Sequence, residues 1–242
     1  MPNAVGRERT PSSVESASAW LRDASEPAWS ALLDQPFVRE LARGELLPER
    51  FRFYIEQNLL YLPQYARVMA LGAAKSRDER ELELFAAALR QVIDVELPEN
   101  RALHERVVEL GAADRCGARD PAPANLAYTS WLLSVAFTGG PLEILAAVLP
   151  CTWSYGEIGR RLAPDAAEHP VYRPWISFFS DAEYEAVVRR MRADLDELAR
   201  QAGQAQLERL SGIFATGVRM EHGFWEMAYA MADPGGATAR RH

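Results

Sequence analysis

The sequence predicts an all-α helical bundle, and three observations support that fold class. Apolar residues recur at alternating spacings of three and four along most of the chain, the pattern that turns one face of a helix inward. No stretch shows the strict apolar–polar alternation of a half-buried strand. The periodic runs exceed the usual dozen residues and are separated by short Gly- and Pro-containing segments, which suits one elongated bundle.

In chain order, Met1 to Ser12 is polar and aperiodic and reads as a disordered tail, as does the stretch 233–242. Ser13 to Leu33 forms one long amphipathic run, followed by a short helix from Pro36 to Ala42. Pro48 suits a first helical turn, because its missing N–H would have no helical partner there, and that helix runs to Ala74. Pro63 inside it should kink it by removing a donor and crowding the preceding turn. Arg77 to Leu110 follows, rich in Glu and Arg, with Pro98 as a kink or break. Gly111 to Asn125 reads as a loop, Leu126 to Phe137 as a helix, and Thr138-Gly139-Gly140-Pro141 as a turn that starts the next helix, ending near Leu162. Pro164, Pro170 and Pro174 mark an irregular link through His169 to Phe179. Two last helices span Asp181 to Gln201 and Gly203 to Met231.

Composition narrows the function. At 242 residues, the chain is long enough for one sizeable core, placed at 13–232. Its net charge of −7 disfavours nucleic acid, whose phosphates require clustered Lys and Arg. There is neither an apolar run long enough for a bilayer nor a signal-peptide core near Met1. Two cysteines, Cys116 and Cys151, are too few for a disulfide framework, and a reducing cytoplasm is the expected compartment. Cys116 falls in the loop-like stretch 114–120 and reads as an incidental exposed thiol.

The chemistry lies where polar residues interrupt apolar seams. One seam runs Ile144, Val148, Cys151, Tyr155, Ile158, Leu162; a second runs Leu210, Phe214, Gly217, Glu221, Phe224, Ala228. A third carries Phe51, Tyr54, Asn58, Tyr61, Tyr65 and Val68, and a fourth carries Tyr128, Leu132 and Val135. A helical cysteine is most often a small core residue. Pro150 weakens that reading for Cys151, since it deprives the previous turn's carbonyl of its donor. Glu221 is either an arginine's buried partner or a general acid/base whose pKa burial has raised. His222 points off the seam and reads as a surface residue. Inward tyrosines each need a hydrogen-bond partner, and a planar nitrogen-rich ligand would offer both stacking and polar edges. No Glu-x-x-His pairs of the di-iron kind occur, nor a phosphate-cradling glycine loop, so neither metal nor nucleotide is expected.

From Ser13 to Met231 the chain resembles the TenA / thiaminase II family of the haem-oxygenase-like fold. The resemblance rests on Phe53-Tyr54-Ile55-Glu56-Gln57-Asn58-Leu59-Leu60-Tyr61-Leu62, Ala127-Tyr128-Thr129-Ser130, Leu149-Pro150-Cys151-Thr152-Trp153, His169-Pro170-Val171-Tyr172 with Trp175-Ile176, and Glu221-His222-Gly223-Phe224-Trp225 with Glu226-Met227-Ala228-Tyr229. It implies cofactor-free hydrolysis of aminopyrimidines related to thiamin, either deamination of an aminomethyl-aminopyrimidine in salvage or cleavage of thiamin. Cys151 matches the family nucleophile, and Glu221 the acid/base residue. Tyr61, Tyr128 and Phe224 match aromatics around the ring, and Tyr155 a tyrosine near the thiol. The family is commonly tetrameric, so a homo-oligomer, tetramer or dimer, is the implied assembly. Two positions depart from the pattern. Asn58 stands where the family usually has an aspartate, which exchanges a charge for an amide, and Phe179 stands where many members have a tyrosine. A changed substrate, such as a modified or deaminated pyrimidine, is the expectation from both. The alternative reading is a catalytically weak protein of the same fold that binds or senses a small heteroaromatic.

Overall fold

A computed structural model of the chain describes residues 16–114 and 120–231, and among them there are helices and no strands. The expected tails and Cys116 lie outside the described residues. Four helices form the frame: α4 (Pro48–Ala74), α7 (Pro123–Thr138), α8 (Pro141–Leu162) and α11 (Gln204–Ala230). α8 is buried on nearly every side, from Ile144 through Pro150 and again from Thr152 to Tyr155, as its unbroken apolar run requires. It packs on α11, on α7 and α4, and on α10 (Ala182–Ala199) and α9 (Tyr172–Ser180). α5 (Glu79–Arg90) and α6 (Leu97–Glu109) lie against α4, and α1 (Ala17–Ala24) lies against α10 and α11.

The starts of α4 and α8 follow the prolines that suit a first turn, Pro48 and Pro141. Pro63 sits inside α4, which continues through it as helix. Three expectations need correction. The run expected from Ser13 to Leu33 is two helices over its described part, 16–33, because Ser25 to Pro27 interrupt it before α2 (Ala28–Leu32). The segment from His169 to Phe179 is not an irregular link. It forms α9, since Pro174 occupies the first turn, where no N–H is needed, while Tyr172, Trp175, Ile176 and Phe179 bury one face. Within the run from Arg77 to Leu110, the break precedes Pro98 as a six-residue π-helical turn, Gln91–Glu96, between α5 and α6.

Two glycines let helices meet at the centre. A Cβ on Gly159 of α8 would stand 2.6 Å from the carbonyl carbon of Phe179 and 2.7 Å from its oxygen, so the backbone of α9 rests directly on α8. A Cβ on Gly217 of α11 would meet the Pro150 ring at 2.8 Å and the Ala147 carbonyl oxygen at 3.1 Å. Gly159→Ala is expected to destabilise the protein by about 1–3 kcal/mol. Backbone cannot move aside as a side chain does, and this outweighs the ~1 kcal/mol that alanine gains within a helix. Urea unfolding measures the difference; an unchanged or raised midpoint would contradict the close approach.

Candidate active site

Five elements line one narrow cavity. α8 contributes Cys151, Thr152 and Tyr155; α4 contributes Asn58, Tyr61, Leu62 and Tyr65. Phe179 of α9, Tyr184 of α10 and Glu96 of the π turn complete the lining. Cys151, a free cysteine, is half-buried and opens onto this space.

Glu221 stands one layer behind the thiol on α11 rather than on the cavity wall, and is only 1 % exposed. Its partner is not the arginine considered from the sequence. Tyr128 of α7 donates its hydroxyl to Oε1 at 2.5 Å, and the carboxyl and the Cys151 thiol lie close enough to act on each other's titration. Burial raises the Glu221 pKa to about 7, although the Tyr128 hydrogen bond and the nearby Cys151 thiol oppose the rise by favouring the carboxylate. Burial also pushes the Cys151 thiol well above its ordinary range, with repulsion from the Glu221 and Glu96 carboxylates adding to it. The resting pair is therefore a neutral thiol against a carboxyl that titrates near neutrality. Such a carboxyl can take the thiol's proton as sulfur attacks and return it later.

The aromatics form a wall in two layers. Tyr61 lies 5.2 Å from Tyr128 and 5.8 Å from Phe224, ring centre to ring centre, so Tyr128 and Phe224 support it from behind. The Tyr61 hydroxyl approaches the thiol yet makes no hydrogen bond of ordinary geometry, which leaves a buried donor unused. Tyr155 packs on Phe179 at 4.9 Å and on Trp225 at 5.1 Å. A chain of donors, Trp175 Nε1 to Tyr54 and Tyr54 to Tyr155, each at 3.3 Å, satisfies these buried polar atoms. The Tyr65 and Thr152 hydroxyls bond each other at 3.1 Å.

Asn58 is held from two sides. Its neighbour Gln57 pins the entry to α7: Oε1 accepts from the Ala122 N–H and from Asn125, both at 2.9 Å. Asn58 itself donates through Nδ2 to Asn100 Oδ1 of α6 at 2.9 Å. Of the eight residues singled out from sequence, Cys151, Asn58, Tyr61, Tyr155 and Phe179 line the cavity. Tyr128, Glu221 and Phe224 sit directly behind it. His222 is half-buried and paired: Nε2 meets the Ala28 carbonyl oxygen at 2.8 Å and Nδ1 meets Gln35 at 2.7 Å, tying α11 to the corner between α2 and α3 (Pro36–Ala42). Glu96, Thr152 and Tyr184 were missed. Pro98 was the available signal for Glu96, since an irregular turn beside a proline changes which side chains face inward.

A family model described as TENA/THI-4/PQQC matches residues 22–231. The chain belongs to the TENA/THI-4/PQQC family. One family relative, an aminopyrimidine aminohydrolase of Halalkalibacterium halodurans, is 39% identical over 88% of this chain and 96% of its own length. Another protein of that name, from Helicobacter pylori, is 36% identical over 88% of this chain and 98% of its own. Among solved structures, a TenA homologue from P. horikoshii superposes with a TM-score of 0.78 at 31% identity, covering 89% of this chain and 99% of that one. Heme oxygenase-1 from Synechocystis superposes with a TM-score of 0.60 at 17% identity over 90% of this chain and 94% of its own. That likeness places this TENA/THI-4/PQQC member in the haem-oxygenase-like fold. Among the described residues, no helix is long and apolar enough to cross a membrane.

Proposed function

We propose that this protein hydrolyses an aminopyrimidine related to thiamin, with Cys151 as nucleophile and Glu221 as the acid and base. One observation carries the reading: a thiol that faces an aromatic-walled cavity lies within electrostatic reach of a buried carboxyl held in place by Tyr128. The names of the relatives support the substrate class. Tyr61, Tyr155 and Phe179 on the cavity wall offer faces to a flat ring, and Asn58 offers a polar edge.

The steps balance as follows. Sulfur adds to a ring carbon while its proton passes to Glu221. The displaced electron pair expels the amine from the ring's methylene substituent, and Glu221 gives that amine its proton. Water then adds to the exocyclic methylene and gives a proton to Glu221, and breakage of the carbon–sulfur bond restores the ring as Glu221 returns that proton to the departing sulfur. The products are a hydroxymethylpyrimidine and the amine, or the thiazole when thiamin is the substrate. No redox partner enters.

Incubation with the aminomethyl-aminopyrimidine and, separately, with thiamin tests this directly. Release of ammonia or thiazole, with the hydroxymethylpyrimidine identified by mass spectrometry, is the expected result. A protein that binds these compounds but turns over neither would leave it a binder of heteroaromatics rather than an enzyme.

A further inference from the structure

Glu96 has a placement that the chemistry above does not use. It is the last residue of the π-helical turn, and it lines the cavity with Cys151 and Asn58 while Ile93 and Val95 of the same turn are exposed. The turn follows from Pro98, whose absent N–H cannot close an α-helical bond to Asp94. Among the described residues, the Glu96 carboxylate makes no hydrogen bond and no ion pair. The titratable groups that Glu96 acts on across the cavity are Cys151 of α8, Tyr65 of α4 and Tyr184 of α10. None of them is a cation, and no lysine, arginine or histidine lines the space. Desolvation lifts the Glu96 pKa to about 7, as expected for a carboxylate left without its counter-charge.

Asn58 belongs to the same arrangement. Its Nδ2 is committed to Asn100 Oδ1 at 2.9 Å, and Asn100 Nδ2 donates to the Glu96 carbonyl oxygen at 2.8 Å. This relay sets the orientation of the Asn58 amide, whose oxygen is left to accept from a ligand and whose second Nδ2 hydrogen is left to donate. It also ties Asn58 to the backbone of the residue whose side chain carries the charge.

We infer that Glu96 is a specificity residue of this pocket, a carboxylate that pairs with the amino-bearing or protonated edge of the pyrimidine beside the Asn58 oxygen. The inference rests on the aminopyrimidine reading and adds to it a residue that reading does not assign. The negative charge missing from position 58 is thus supplied from the π turn. An acidic cavity without any cation also selects against phosphorylated pyrimidines, whose charge it would repel.

Calorimetric titration with the hydroxymethyl aminopyrimidine, and with the same compound carrying oxygen in place of the ring amino group, tests the inference in wild type, Glu96→Gln and Glu96→Asp. Wild type is expected to prefer the amino compound. Glu96→Gln is expected to bind it roughly 10- to 100-fold more weakly, the loss of one charge-assisted hydrogen bond, with affinity for the oxo compound held within about threefold. Glu96→Asp keeps the charge and should restore part of the preference, which a merely structural role would not do. Equal affinity of Glu96→Gln and wild type for the amino compound overturns the inference while leaving turnover, and so the aminopyrimidine reading, intact. Wild type that binds neither pyrimidine overturns both.

Discussion

Replacement of Cys151 by serine is expected to lower turnover of the aminopyrimidine by at least about 10³-fold, on the scale seen when a nucleophile is removed from a catalytic unit. Oxygen is smaller than sulfur and fits the same half-buried position in α8 without disturbing Pro150 or Tyr155, so helical content and the melting curve should match wild type. What changes is the nucleophile. A serine hydroxyl ionises far less readily than a thiol, and Glu221, titrating near neutrality, is too weak a base to compensate. Steady-state ammonia release, read beside circular dichroism, separates lost chemistry from lost structure. Wild-type rates in Cys151→Ser would eliminate the covalent route.

Glu221→Gln is expected to have two opposite effects. Activity should fall steeply, and the limb of the pH–rate profile near pH 7 should vanish. Stability, in contrast, should rise above neutral pH. The folded-state pKa of Glu221 is raised from 4.5 to about 7, so the native protein holds this proton more tightly than the unfolded chain does. Stability is therefore lost progressively as pH climbs from about 4.5 to 7, and the full penalty, on the order of 3 kcal/mol, remains at higher pH. Glutamine keeps the oxygen that accepts from Tyr128 and removes the charge. At pH 8 the variant should melt several degrees above wild type, and at pH 4 the two should nearly coincide. Coincident curves at pH 8 would mean that Glu221 is not desolvated in solution.

The frame was legible wherever a proline or glycine falls where helix geometry favours it. Pro48 and Pro141 start α4 and α8. Prolines misled where their position within a turn mattered more than their presence. Pro174 reads as a breaker among Pro164 and Pro170, yet three residues into α9 it displaces no hydrogen bond. The seams pointed to Cys151, Glu221 and the tyrosines because periodicity sets direction within a helix. Periodicity could not identify Tyr128 as the partner of Glu221, since that choice depends on how α7 and α11 meet. It also could not find Glu96, because a π turn shifts the angle between successive side chains and the α-helical spacing no longer tells which one faces inward. Asn58 looked like a lost charge for the same reason: its bond to Asn100 and the nearby carboxylate exist only once α4 and α6 are packed.

The contact between Gly217 and Pro150 acts as a spacer for the reactive pair. Gly217 lies one turn before Glu221, and Pro150 immediately precedes Cys151, so the thickness of that contact sets the gap between acid and sulfur. A proline ring is rigid and a glycine has nothing to rotate, so this dimension cannot relax through a change of rotamer. The alignment of the two groups is therefore inherited from backbone against ring rather than from either functional side chain. Variation among neighbouring core residues can proceed without retuning the pair, whereas a single methyl group at position 217 would separate them.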